Sequence, residues 1–154
     1  MAETDNSIFE LNDITALVCV DHQQYQKLVV PQLIDLTYKV HLGLFEEDVL
    51  LKLRTYAYNV VVVYENFKGS TVQTNPILED LNKHAGARRR QHFVILLSHR
   101  YPTNDATSAF VHSVDQIVNI GDLANFKTVL RRGVAHYHDL YASFNETYKS
   151  VQAI

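Results

Sequence analysis

The feature of this sequence that most constrains its fold is an apolar run near the middle of the chain. Residues 58–66 contain four consecutive valines, followed by Tyr64, Glu65 and Asn66. A strand with one face in water would alternate apolar and polar residues, whereas the valines leave no polar position. The run therefore predicts a central strand of a parallel sheet that is covered by helices on both faces. Because chemistry in open α/β sheets takes place at the carboxyl ends of strands, the end of this run is a first candidate site.

The rest of the chain alternates between short apolar runs and amphipathic stretches. The apolar runs predict four more strands, at residues 14–20, 38–44, 92–97 and 114–120. Apolar residues at helical spacing predict helices at residues 23–36, 45–56, 76–84, 105–113 and from 123 to about 151. Pro31 predicts a kink or a late start in the first helix, and Gly133 a break or bend in the last. Five alternations of strand and helix predict a doubly wound five-stranded parallel sheet in three α/β/α layers, with an extended C-terminal helix.

Length and composition narrow the possible classes of protein. A chain of 154 residues is long enough for one domain with its own core. Its net charge of −3 provides no field that would attract nucleic acid. The single cysteine, Cys19, excludes disulfides and cysteine zinc sites within the chain. No apolar run approaches the roughly 18 residues of a membrane span, and the N-terminus has no signal pattern, so we expect a cytoplasmic protein that contacts neither membrane nor nucleic acid.

The predicted strand ends resemble those of the response-regulator receiver domain, the CheY-like family of two-component signalling. The similarity covers residues 16–132 and consists of the strand order and the spacing of strand ends, with local matches at residues 17–21, 58–64, 94–98 and 114–120. It implies a flavodoxin-like fold and a role in a signalling pathway. It also divides the chain into a polar N-terminal segment (1–13), a receiver-like domain (14–132) and a C-terminal helical extension (133–154). The alternative that the chain is one domain of a longer regulator stays open.

The resemblance also implies which residues would carry receiver chemistry. In that chemistry, an acidic pair after the first strand and an aspartate after the third hold Mg²⁺, and this aspartate attacks phosphorus. A lysine at the fifth strand end neutralises the acyl phosphate, and a hydroxyl at the fourth binds it. The matching positions here are Asp21 followed by His22, then Tyr64, Ile120 and Ser98.

These substitutions predict a pseudo-receiver, with the scaffold but without the phosphorylation machinery. A phenol with a pKa of about 10 is neither a carboxylate nucleophile nor a good Mg²⁺ ligand, and Ile120 cannot offset phosphate charge. Shifting the third strand by one residue would place Glu65 at the site, where it would mimic a negative charge rather than accept phosphate. We therefore predict a non-enzymatic module without a cofactor that acts through protein partners.

The strand ends together predict a polar rim at one edge of the sheet, formed by Asp21, His22, Tyr64, Glu65, Ser98 and His99. Two histidines and two carboxylates suit a transition metal by residue type, so the alternative function is a ligand- or metal-binding domain, or an enzyme, that uses this rim. Polar residues are also common at solvated strand ends without any ligand. We predict no metal here.

The densest charge cluster consists of Arg88, Arg89 and Arg90. Such a cluster is suited to binding phosphate groups or an acidic partner. The alternative is a solvated loop, in which cations near a helix C-terminus are favourable in their own right.

The last predicted helix carries an apolar seam that continues beyond the receiver pattern. Its residues recur at steps of four and three, as in a coiled coil: Leu130, Val134, Tyr137, Tyr141, Phe144, Tyr148 and Val151. Tyrosine is favoured at interfaces because it has a large apolar body and a polar tip. We therefore predict a homodimer that forms through this helix. The alternative is a helix that folds back on its own domain.

Overall fold

A computed structural model of the protein describes residues 13–83 and 91–153, with side chains up to residue 139. Five parallel strands form one sheet in the order β2-β1-β3-β4-β5. The strands are β1 (Thr15–Cys19), β2 (Lys39–Leu42), β3 (Val60–Tyr64), β4 (Phe93–Ser98) and β5 (Gln116–Asn119). The described helices are α1 (Gln23–Asp35), α2 (Glu46–Thr55), α3 (Pro76–Asn82), α4 (Ala106–Val111) and α5 (Phe126–Ala153). The predicted doubly wound sheet with a long C-terminal helix is confirmed.

Side chains of the central strand alternate between two apolar cores, one on each face of the sheet. Val60, Val62 and Tyr64 point to the face that α1 and α5 cover, whereas Val61 and Val63 point to the face that α2, α3 and α4 cover. All five residues are buried. This burial on both faces explains why the run contains no polar position.

The first and last helices differ from their predicted form. α1 begins at Gln23, ahead of Pro31, which excludes the late start, whereas the alternative of a kink at Pro31 stays a prediction. α5 runs without interruption through Gly133, which excludes a break there, whereas the alternative of a bend stays a prediction. Gly133 has a packing role instead, because a Cβ at this position would lie 2.5 Å from Gln116 Oε1.

Two element boundaries also differ from the prediction. β5 is shorter than residues 114–120, because the Asn119 side chain accepts a hydrogen bond from the Gly121 amide and starts a 3₁₀ turn, Ile120–Asn125. α5 follows this turn and begins at Phe126 rather than at Leu123. Within the described residues, no helix is both long enough and apolar enough to cross a bilayer.

Candidate functional site

The carboxyl ends of β3 and β4 place Glu65 and Tyr64 on opposite sides of the sheet. Tyr64 pairs with Leu97, so the next residue, Glu65, lies level with Ser98. Side chains alternate along a strand, and Glu65 therefore shares the α2–α3–α4 side with Ser98, whereas Tyr64 faces α1 and α5. The acidic residue, and not the tyrosine, contacts the retained hydroxyl.

The Glu65 residue is buried, with 7% of its surface exposed, and each oxygen of its carboxylate accepts a hydrogen bond. Ser98 Oγ donates to Oε1 at 2.8 Å, and the His99 amide donates to Oε2 at 2.7 Å. Ser98 Oγ in turn accepts from the amides of Arg100 and Tyr101 at 3.0 and 3.1 Å. The hydroxyl thus links the end of β3 to the loop that leads into α4.

The backbone around Glu65 is also fixed. The side-chain Nδ2 of Asn75 donates to the backbone carbonyls of Tyr64 at 3.1 Å and Glu65 at 3.3 Å. Ser70 Oγ donates to the Glu65 carbonyl at 3.1 Å. Asn75 also caps α3, since its Oδ1 accepts from two amides of the first turn. The Asn-Pro pair predicts that Asn75 caps this helix, and the structure shows this cap, but nothing in the sequence indicates that the same side chain also contacts the backbone of Glu65.

On the opposite side of the sheet, Tyr64 belongs to a small aromatic cluster. Its hydroxyl lies 2.8 Å from His99 Nε2, its ring packs edge-on against Tyr25 at 5.5 Å, and Tyr25 stacks on His22 at 3.7 Å between ring centroids. Burial raises the pKa of the Tyr64 phenol, and nearby acidic groups raise it further. At neutral pH the phenol is therefore protonated and cannot serve as an anionic metal ligand.

Asp21 lies at the rim, exposed to solvent, and holds the loop after β3. Its Oδ2 accepts from the Lys68 amide at 3.0 Å, and Lys68 has left-handed backbone, with φ at 53°. The Lys68 ammonium lies 4.8 Å from the centre of the Phe45 ring, in a cation–π contact. Asp21 thus has a structural partner in this loop.

The end of β5 has an amide side chain and an aliphatic one. Ile120 packs against the core on the α1–α5 face. Asn119 Nδ2 donates to the Tyr101 carbonyl at 2.9 Å, and Asn119 Oδ1 accepts from the Gly121 amide at 2.9 Å. Neither residue can supply a positive charge to the rim. Asn119 was not predicted to lie at the site, because the predicted strand continued past it to residue 120.

Among the described residues, no three His, Cys, Asp or Glu side chains come together as a metal-binding group. Beside Glu65 and His99 lies an open cleft of about 520 Å³, whose other lining residues are Asn66, Thr71, Val72, Gln73 and Arg100.

The remaining predicted sites are placed only in part. Leu130 is fully buried in the protein's own core, so its prediction as an interface residue is wrong. Val134 and Tyr137 are partly buried and pack against the same core. Two further sets lie outside the described part of the structure: Arg88, Arg89 and Arg90 entirely, and the side chains of Tyr141, Phe144 and Tyr148.

Comparisons with known proteins agree with this fold. No family model and no curated protein matches the sequence. Solved structures do match, among them the beryllofluoride-activated receiver domain of DrrB, with 20% identity, a TM-score of 0.60, and coverage of 80% of this chain and 98% of that one. The chemotaxis response regulator CheY4 of Vibrio cholerae matches with 15% identity, a TM-score of 0.58, and coverage of 79% and 99%. A fusion that carries the yeast Spc42 trimeric coiled coil matches with 15% identity, a TM-score of 0.62, and coverage of 94% and 93%. The chain therefore has the fold of a response-regulator receiver domain.

Proposed function

We propose that the protein is a receiver-like signalling module that works without phosphorylation and acts through protein–protein contacts as a homodimer. The observation that carries the proposal is the hydrogen bond between Glu65 Oε1 and Ser98 Oγ. In receiver chemistry, the hydroxyl at this strand end binds the phosphate. Here the hydroxyl is already bound to a carboxylate of the chain itself, so Glu65 acts as a built-in substitute for the phosphorylated residue.

The surroundings of Glu65 do not favour phosphoryl transfer. Hydrogen bonds to a carboxylate lower its nucleophilicity, and each Glu65 oxygen already accepts one. Mg²⁺ needs several oxygen ligands. One oxygen of Asp21, Oδ2, already accepts a hydrogen bond from the Lys68 amide, so a bound Mg²⁺ would compete with that bond. An acyl phosphate needs a nearby cation, and the end of β5 offers Asn119 and Ile120.

The test is to expose the full chain to Mg²⁺ with beryllofluoride, and separately to acetyl phosphate. We expect no change in melting temperature and no mass increase, whereas an active receiver domain treated in parallel should show both. A saturable stabilisation by beryllofluoride that is lost in Glu65→Gln would show that Glu65 is a phosphoacceptor and would overturn the proposal.

Self-association is supported by the length of α5. The helix has 28 residues, about 42 Å at 1.5 Å per residue, and Tyr137 is the last residue found packed against the apolar core among those whose side chains the structure describes. The segment 138–153 continues for about 24 Å with Tyr141, Phe144 and Tyr148 in register with Tyr137. An amphipathic helix gains most of its stability from packing, so this segment requires a partner surface.

The dimer is tested by measuring molar mass with light scattering for the wild type and for Tyr141→Lys. We expect a dimer for the wild type and a monomer for the variant. Asp139→Lys is the matched control, because it adds a lysine on the same helix at an exposed position off the seam. A monomeric wild type would refute self-association, and dissociation of both variants would show an effect of charge alone.

The alternative function is ligand binding at the cleft beside Glu65, favoured by its size of about 520 Å³. A thermal-shift screen of nucleotides and divalent metals tests this alternative. A specific stabilisation that is lost in Arg100→Ala would favour it over the signalling module.

A further inference from the structure

An apolar groove lies between α4 and α5, beside Phe93 and Gln116, which begin β4 and β5. It therefore lies at the opposite end of the sheet from Glu65 and Ser98, which stand at the carboxyl ends of β3 and β4. Its volume is about 540 Å³, within the range of small-molecule binding sites. None of the residues at the rim or in the cleft beside Glu65 lines this groove, so it is a separate candidate site.

The groove combines aromatic side chains with small residues. Phe93, Phe110 and Tyr137 contribute rings, and the rings of Phe93 and Tyr137 meet edge-on with 5.3 Å between their centroids. Phe110 is 86% exposed, a large aromatic surface for one residue to leave in water. Ala106 and Gly133 line the same groove without side chains that would fill it. The space between the helices is thus suited to a flat aromatic ring, which can pack edge-on or offset against these side chains.

Gln116 contributes a buried amide to the lining of the groove. Only 5% of the residue is exposed, and its Nε2 donates to Asn104 Oδ1 at 2.8 Å and to the Val129 carbonyl at 3.0 Å. A carbonyl can only accept, so this contact fixes which end of the amide carries the oxygen. Within the described residues, Gln116 Oε1 is enclosed and accepts no hydrogen bond. Buried acceptors of this kind are rare in folded proteins, and an N–H or O–H group of a bound molecule would satisfy it.

Ionisable side chains of both signs line the groove. Asp105 and Asp115 lie on the side of α4 and β5, and Arg132 and His136 lie on α5. Both carboxylates already accept hydrogen bonds from the domain itself. The acids and the basic side chains are equal in number, so the lining offers no clear excess of either sign to a charged ligand. A charged ligand would also lose its hydration against the apolar part of the groove, and a neutral ligand is therefore favoured.

We infer that the groove binds a neutral, planar aromatic molecule that carries an N–H or O–H donor, and that this donor bonds to Gln116 Oε1. The inference goes beyond the proposed function, because it assigns a ligand to a part of the domain away from the Glu65–Ser98 contact and from the segment 138–153. Such a ligand would give the module a small-molecule input at the face formed by α4 and α5.

The first experiment compares two methylindoles that differ only in the position of the methyl group. Skatole carries the methyl group on carbon and keeps the ring N–H, whereas in N-methylindole the methyl group replaces that hydrogen. Isothermal titration calorimetry of the full chain should show saturable binding of skatole. N-methylindole should bind about three- to tenfold more weakly, which is the loss expected for one hydrogen bond. Indoleacetate, the same ring with a carboxylate, should also bind more weakly than skatole.

The second experiment narrows the groove without a substitution in the core. Ala106 is exposed and lines the groove, so Ala106→Leu should fill part of it and weaken skatole binding about tenfold or more. Thr107→Leu is the matched control, because Thr107 is exposed on the same helix and is not among the residues that line the groove. Its affinity for skatole should equal that of the wild type. Unchanged circular dichroism and melting temperature would show that both variants fold.

Skatole binding that is weakened by Ala106→Leu but not by Thr107→Leu, together with weaker binding of N-methylindole, would support the inference. Absence of saturable binding, equal affinities of the two methylindoles, or skatole binding that survives Ala106→Leu would overturn it. Skatole binding that is lost in Arg100→Ala instead would place the ligand in the cleft beside Glu65 and would also overturn it. These tests leave Glu65 and Tyr141 unchanged, so the beryllofluoride and light-scattering tests of the proposed function keep their own outcomes.

Discussion

Replacing Gly133 by alanine is expected to destabilise this protein, although alanine is the better helix former. A Cβ at this position would lie 2.5 Å from Gln116 Oε1, 2.6 Å from Nε2 and 2.7 Å from Cδ. Gln116 lies on β5 with only 5% of its surface exposed. Its side-chain amide donates to the Val129 carbonyl of α5 at 3.0 Å and to Asn104 Oδ1, in the loop before α4, at 2.8 Å. Its amide therefore has to leave this place when the methyl group arrives.

The size of the effect follows from two opposing terms. Gly→Ala in a helix interior gains about 1 kcal/mol. Displacing the Gln116 amide loses two hydrogen bonds at about 0.5–1.5 kcal/mol each and adds about 1 kcal/mol or more for buried polar groups without partners. The net result is a loss of about 1–3 kcal/mol, or about 2–12 °C in melting temperature for a domain of this size.

A double-mutant cycle measured by urea denaturation tests this reasoning. In a Gln116→Ala background the obstruction is gone, so Gly133→Ala should stabilise the protein by up to about 1 kcal/mol. The sign of the Gly133→Ala effect should thus differ between the two backgrounds. A stabilising effect in the wild type, or an equal effect in both backgrounds, would refute the proposed role of Gly133 in packing.

Three further predictions concern the rim and the core. Cys19 should react with a thiol reagent only at the rate of global unfolding, because burial raises the pKa of its thiol; reaction of the folded protein at the rate of a free thiol would contradict this. Glu65→Gln should cost about 1.5–3 kcal/mol in urea denaturation, since an amide has one oxygen to accept from Ser98 and the next amide, whereas the exposed control Glu79→Gln should change stability by less than about 0.5 kcal/mol. Burial raises the pKa of Tyr64 above its ordinary 10.0, so the contribution of the protonated phenol to stability is complete below pH 10 and is lost as pH rises through the pKa in the folded protein. Tyr64→Phe should therefore reduce the fall in the free energy of unfolding above pH 10. An unchanged slope of this free energy against pH would contradict the prediction.

The fold was predictable because its strongest signal is local. An uninterrupted valine run requires two apolar neighbours, and the alternation of strands and helices then leaves few topologies. The boundaries depend on single side chains that bond across the structure. Asn119 ends β5 by capping the next turn, which no pattern of hydrophobic residues reveals.

The seam of the last helix shows a second limit of sequence reasoning. Steps of four and three mark an apolar face but do not say what covers it. Leu130 and Tyr137 belong to one continuous seam, yet the first is fully buried in the domain's own core and the second lines a surface groove. The spacing of apolar residues is the same at both positions. How far the sheet extends beneath α5 decides which of these residues the domain's own core covers.

The position of Glu65 could not be deduced from the strand that precedes it. Tyr64 and Glu65 are adjacent, so only one of them can share a sheet face with Ser98, and an all-valine strand gives no indication of which. The pairing of Tyr64 with Leu97 decides it, because it sets Glu65 level with Ser98. The glutamate side chain then reaches the Ser98 hydroxyl directly, at 2.8 Å, with no phosphoryl group between them. This direct bond is the reason for proposing a module that works without phosphorylation, in which the binding of a partner or a second copy would be the regulatory input.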